Sequence, residues 1–103
     1  LQEGRWHNNE IIPVAWVRES TAPHFATGAE GDEAYGYLWW SQPYTHKEQL
    51  VRAYFGKGFG GQRPIVLPEL NLVIVLTGWN ILPDQPFFTA MEAVERVTAA
   101  LSE

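Results

Sequence analysis

Cysteine is absent from the 103 residues, which excludes disulfides and thiolate metal sites and leaves the compartment open between cytoplasmic and extracytoplasmic. Cations are scarce. Seven Lys and Arg stand against twelve Asp and Glu, for a net charge of −5, and they are scattered rather than gathered into the stripe that a phosphate backbone requires. No nucleic-acid partner is therefore expected. No apolar run approaches the roughly 18 residues needed to span a membrane, and the chain contains no internal repeat or low-complexity tract. It opens at Leu1 with neither a Met nor a signal peptide, as expected of a truncated or processed product. What the chain does have is core-forming material. Hydrophobic residues make up 46%, with five Trp against 18% charged residues, enough to bury a core and too apolar for a disordered chain. Residues 1–103 are one domain at most, and a domain this small is expected to be marginal unless something else packs on it.

Turn and period signals divide the chain. Residues 5–12 read as a turn around Asn8-Asn9 that closes on the pair Ile11-Ile12. Pro13 suits the first turn of a short helix over 13–20, with Ile12, Trp16 and Val17 near one face. The polar, acidic stretch 21–34 reads as loop. Aromatic content marks 35–40 as a strand, the stretch 41–48 with Pro43 as a loop, and 50–55 as a second strand. After the glycine-rich 56–61, two apolar runs at 63–67 and 72–77 flank Pro68-Glu69-Leu70-Asn71, which predicts an antiparallel hairpin. The helical spacing of Phe87, Met91, Val94, Val97 and Leu101 predicts a helix over 86–102, capped by Asp84 or Gln85, with Pro86 in its first turn. Glu92 and Arg96 add an i,i+4 pair on its wet side. The expected fold class is α+β: an antiparallel sheet of three or four strands with flanking helices, the C-terminal helix on one face. Leu72 to Leu76 is apolar at every position, so both faces of that strand need cover. Helix 13–20 is a poor candidate to cover all of the second.

The chemical constellations are sparse. Gly56-x-Gly58-x-x-Gly61 matches a dinucleotide fingerprint by letter, but a strand follows it where the pyrophosphate needs a helix N-terminus. Lys57 begins no P-loop, because no Gly-Lys-Ser/Thr closes the spacer. His7, His24 and His46 lack zinc-ligand spacing and read as solvated loop residues. Glu30, Asp32 and Glu33 read as a solvated charge run rather than a calcium loop. No metal and no cofactor are expected. Ser20, Ser41 and Ser102 are the serines present, and none stands in an activating context. Tyr35, Tyr37, Trp39 and Trp40 suit either a core face or the wall of an apolar, sugar-stacking cleft.

Together the strings YGYLWW (35–40), YFGKGFGGQ (54–62) and VLPELNLVIVLTG (66–78) resemble the C-terminal region of β-lactamase-related serine hydrolases. That superfamily includes penicillin-binding proteins, class C β-lactamases, related esterases, D-aminopeptidases and 6-aminohexanoate-dimer hydrolase. The opening GRW at 4–6 and IIPVAWVRESTAP at 11–23 fit the same group. The resemblance implies that residues 1–103 are the C-terminal part of a β-lactamase/transpeptidase-like fold, the N-terminal catalytic half lying outside them. It implies acyl transfer by a Ser-x-x-Lys serine assisted by the Tyr of Tyr-x-Asn. Neither motif is here: the lysine position holds Pro23 after Ser20 and Tyr44 after Ser41, and no Tyr is followed two residues later by Asn.

The third family motif, Lys-Thr-Gly or His-x-Gly, falls at Phe59-Gly60-Gly61. Phe replaces the cation that would attract a substrate carboxylate, so the resemblance favours ester or amide substrates over penicillins. The glycines let a small-molecule or peptide-like substrate approach the strand, and the strand-borne oxyanion N–H maps to the main chain of Gln62. The implied substrate-binding residues are Phe59, Gly60, Gly61, Tyr37 and Trp39. The fragment is expected to be inert alone and to require its N-terminal half or self-association through the sheet face. A non-catalytic peptide- or glycan-binding module and a degenerate penicillin-recognition-like sensor are the competing readings. So is a glycine-rich hairpin entry with no chemistry.

Overall fold

The computed structural model describes residues 1–84, 86 and 88–101. A two-residue hairpin comes first, β1 (Arg5–Trp6) paired with β2 (Asn9–Glu10), followed by helix α1 (Val14–Thr21). Six strands then run as a meander: β3 (Phe25–Ala26), β4 (Ala34–Gly36), β5 (Trp39–His46), β6 (Gln49–Phe55), β7 (Arg63–Leu67) and β8 (Leu72–Leu76). Each pairs antiparallel with its sequence neighbours, and β8 forms one edge. Helix α2 (Ala90–Ala100) ends the order. The architecture is α+β as expected, with six sheet strands in place of three or four.

Of the two extra strands, β3 lies in the stretch 21–34 expected to be loop, where it pairs with β4, and β4 is cut from β5 by a turn inside 35–40. Residues 35–40 are not one strand. Tyr37 (φ 48°) and Leu38 (φ 71°) form a left-handed pair between Gly36 and Trp39, which face each other across the hairpin. Likewise 41–48 is not a loop. β5 continues to His46 and reverses through Lys47 (φ 45°) and Glu48 (φ 67°) into Gln49. Two-residue turns with both φ positive match the right-handed twist of the strands they join, and Asn-Gly is their usual signature. Tyr-Leu and Lys-Glu carry no such signature, so these turns were not legible. Pro43 is tolerated because β4 accompanies β5 only as far as the Ala34–Ser41 pair, leaving Pro43 on a stretch open at one side. In the first hairpin the left-handed pair is His7-Asn8 rather than Asn8-Asn9. The β7–β8 hairpin forms as expected, through a 3₁₀ turn at Pro68–Leu70 and left-handed Asn71.

The two sheet faces differ. Strand alternation sends Val51, Ala53, Phe55, Ile65, Leu67 and Ile74 to one face, where they meet Ala90, Ala93 and Val94 of α2 as the buried core. Tyr44 bonds across this face to the Thr98 hydroxyl at 2.9 Å, so a polar residue occupies a core position of α2 and is satisfied there. The other face carries Trp39, Tyr54 and Val66, which share a cavity with Val17 and Thr21 of α1. That cover ends before β8: Val73 and Val75 are 50% and 63% exposed, and Leu50 of β6 is 69% exposed.

Helix α2 starts later than expected. Its cap is Thr89, whose hydroxyl accepts from the Glu92 N–H while a Glu92 carboxylate oxygen accepts from the Thr89 N–H at 2.8 Å, a full capping box. Asp84 is not the cap, Pro86 precedes the helix, and Gln85, Phe87 and Ser102 lie outside the described residues. Glu92 thus serves the helix end, and Arg96 places its guanidinium carbon 4.9 Å from the Phe88 ring centroid. No Glu92–Arg96 ion pair occurs among the described contacts.

Candidate functional site

The loop from β6 to β7 is held by its own backbone. Gly56 N–H donates to the Pro64 carbonyl at 3.0 Å and Gly58 N–H to the Gln62 carbonyl at 2.8 Å. The Arg63 guanidinium donates to the Gly58 and Gln62 carbonyls, both at 2.8 Å, clamping the two ends of the loop together. Gly60 and Gly61 sit at φ 85° and 96°, where a side chain is strained. A Cβ on Gly60 would lie 3.3 Å from both the Asn80 nitrogen and the Trp79 Cα. That crowding reflects a second tie. Asn80 N–H donates to the Gly60 carbonyl at 3.0 Å, and the Gln62 side-chain amide donates to the Gly78 carbonyl at 3.2 Å. The glycine loop and the exit of β8 are thereby one unit.

Between this unit and the start of α2 opens a cavity of about 400 Å³. Gly60 and Gly61 form one wall and Leu76 to Gly78 another, while Phe88 and Glu92 close the helix side. Phe59 and Trp79 stand beside the loop at 75% and 65% exposure, in edge-to-face contact with centroids 6.1 Å apart. Of the residues expected to bind substrate, Gly60 and Gly61 line this cavity, Phe59 flanks it, and Gln62 anchors the loop beside it.

Tyr37 and Trp39 belong elsewhere. They line a second cavity of about 470 Å³ with Trp16, Val17 and Leu38, on the α1 side of the sheet. Tyr37 packs edge-on against Trp16 (5.4 Å) and His24 (4.9 Å), and its hydroxyl donates to a Glu19 carboxylate oxygen at 3.4 Å. His24 Nε2 is 2.7 Å from the Glu19 carbonyl oxygen, so His24 is an exposed loop residue that is also tied to α1. The aromatic set divides by alternation: Trp40 packs on the core and Trp39 on the opposite face.

Catalytic groups are few among the described residues. The Ser20 hydroxyl donates to the Val17 carbonyl at 3.3 Å, and buried Ser41 accepts from Arg52 at 3.2 Å. Neither is bonded to a base. No group of three His, Asp or Glu is placed to hold a metal ion among the described residues. The glycine motif runs into β7, not into a helix, so it offers no phosphate the free N–H groups of a helix start. Glu33 departs from the expected solvated run. Its side chain is 11% exposed and 3.0 Å from Lys57 Nζ, which also lies 3.8 Å above the Trp40 ring. Burial raises the Tyr54 phenol above its usual 10.0, the Glu69 charge raises it further, and Arg52 opposes both. No helix among the described residues is long and apolar enough to cross a membrane.

Asn80, Phe88 and Glu92 were missed as site residues because a contact across sixteen or more positions of chain leaves no local pattern. One signal was available: Thr89-x-x-Glu92 is a capping-box signature, and it marks the helix end that faces the glycine loop. No protein family, curated protein or solved structure in our comparisons matches the chain.

Proposed function

We propose that these 103 residues form the substrate-lining, C-terminal part of a β-lactamase-related serine hydrolase that cleaves ester or amide bonds through an acyl-enzyme. The observation that carries this reading is the backbone of Gly60 and Gly61, bared to an open cavity at the head of β7, where the family resemblance assigns the third motif. In this reading β7 and its loop receive a small-molecule or peptide-like substrate. The Gln62 N–H supplies one of two oxyanion donors, and a serine outside these residues attacks. The uncovered face of β8 is then covered by the remainder of the same domain.

The test is fluorophosphonate labelling of the protein expressed with its upstream coding sequence. Labelling is expected on a serine of Ser-x-x-Lys, with Tyr-x-Asn following. The 103-residue chain alone should take no label and turn over neither nitrocefin nor p-nitrophenyl esters. An upstream sequence without these motifs, or a full protein that takes no label, overturns the reading.

A second reading rests on the α1-side cavity, whose walls include Trp16, Tyr37 and Trp39. Such rings stack sugars and aromatic peptide side chains, and a non-catalytic binding module would use them. Saturable glycan or peptide binding by the chain, abolished by Trp16→Ala, would favour it over the hydrolase.

A further inference from the structure

The cavity at the head of β7 is apolar over most of its wall, yet its chemistry is not neutral. Among the described residues that line it, Glu92 is the one ionisable side chain. None of the chain's cations is among those lining residues, and the three that come near are engaged: Lys57 with Glu33 and the Trp40 ring, Arg63 with the loop carbonyls, and Arg96 with the ring of the wall residue Phe88. The start of α2 would ordinarily attract an anion, because its first N–H groups point outward at the positive end of the helix dipole. Here that end already holds one. The Glu92 carboxylate accepts from the Thr89 N–H, and the Thr89 hydroxyl takes the Glu92 N–H. An incoming carboxylate would meet no cation among the described lining residues and would have to displace, or sit beside, the chain's own.

We infer that Glu92 is the specificity-determining residue of this cavity, which admits apolar ligands that are neutral or cationic and turns away carboxylates. As a statement about substrate, this rests on the hydrolase reading above. It adds a sign to that reading: an ester or amide carrying an amine next to its apolar part is accepted, and an anionic one is not.

Three molecules of one shape and different charge test it: 3-phenylpropylammonium, 3-phenylpropanol and 3-phenylpropionate, each titrated into the 103-residue chain at low salt and followed by amide NMR shifts. Shifts are expected at Gly60, Gly61, Gly78 and Asn80. The ammonium compound should bind on the order of 5-fold more tightly than the carboxylate, a gap that closes in added salt. Glu92→Gln should abolish the gap while the helix stays capped, because Gln also closes a capping box. Equal or tighter carboxylate binding overturns the inference, as does a gap that survives Glu92→Gln or an absence of shifts at the cavity with all three probes. Failure here is separable from failure of the hydrolase reading. A charge preference found with an unlabelled full-length protein removes only the hydrolase, and a labelled serine with no preference removes only the role of Glu92.

Discussion

Single residues of the glycine loop and the helix cap carry much of the site's geometry. Gly60 combines a left-handed backbone with neighbours 3.3 Å from where its Cβ would be, whereas Gly28, at φ 77°, has nothing within 4 Å of that position. Gly60→Ala should therefore cost about 1–2 kcal/mol for the backbone alone and more for the contact, while Gly28→Ala should show the backbone cost only. Urea unfolding of the two variants measures the difference, and equal losses would show that the Gly60–Asn80 approach is slack. Thr89→Ala should cost about 1 kcal/mol by removing the cap. Tyr54 sets an alkaline limit. Its raised value means that the unfolded chain ionises first near 10 while the native phenol keeps its proton, so stability falls as pH climbs from about 10 toward the native value. Tyr54→Phe should flatten the wild-type decline in that window, seen as urea midpoints above pH 9.5 that fall less steeply in the variant than in the wild type. What could be read in advance at this scale was the glycine pair, because missing side chains are visible in a sequence. The raised phenol was not, since its causes, burial first and then the Glu69 charge, come from α1 and the 3₁₀ turn after β7 packing beside β6.

Secondary elements show where sequence patterning succeeds. The β7–β8 hairpin was legible because Pro68 and Asn71 are turn residues with a mechanical reason to be there. The meander was undercounted because β3 is a two-residue strand within a polar stretch and because Tyr37-Leu38 turn in left-handed backbone; β5 was cut short because Lys47-Glu48 do the same, against their intrinsic preference. Such positions are where substitution should help. Replacing Lys47-Glu48 by Asn-Gly is expected to stabilise the chain by about 1–2 kcal/mol, measured by thermal or urea unfolding. A neutral or negative result would mean that the two side chains make contacts worth the strain. The Tyr37-Leu38 turn should not gain in the same way, because Tyr37 packs against both Trp16 and His24.

For the molecule as a whole, one sheet face is sealed by α2 and the other is half open. Val73, Val75 and Leu50 lie on the open half, and burying a Val or Leu fully is worth about 1.5–3 kcal/mol each. The isolated chain should therefore associate as its concentration rises, and Val73→Thr with Val75→Thr should shift it toward monomer in sedimentation experiments. A monodisperse monomer with cooperative unfolding would mean that α1 covers enough. The need for cover was legible from five apolar residues in a row, whereas how far α1 reaches was not, because that depends on the register of β5 to β8. The meander order also dictates a sequence of events during synthesis. Every strand leaves the ribosome beside its partner, but the helix that covers them comes last. The roughly 25 residues from the end of β8 to Leu101 take about 1–5 s to translate. For that interval Phe55, Ile65 and Leu67 are displayed on a formed, open sheet. A nascent chain stalled with β8 outside the exit tunnel and α2 still inside it should accordingly be a better chaperone client than one stalled with only β1 to β5 outside.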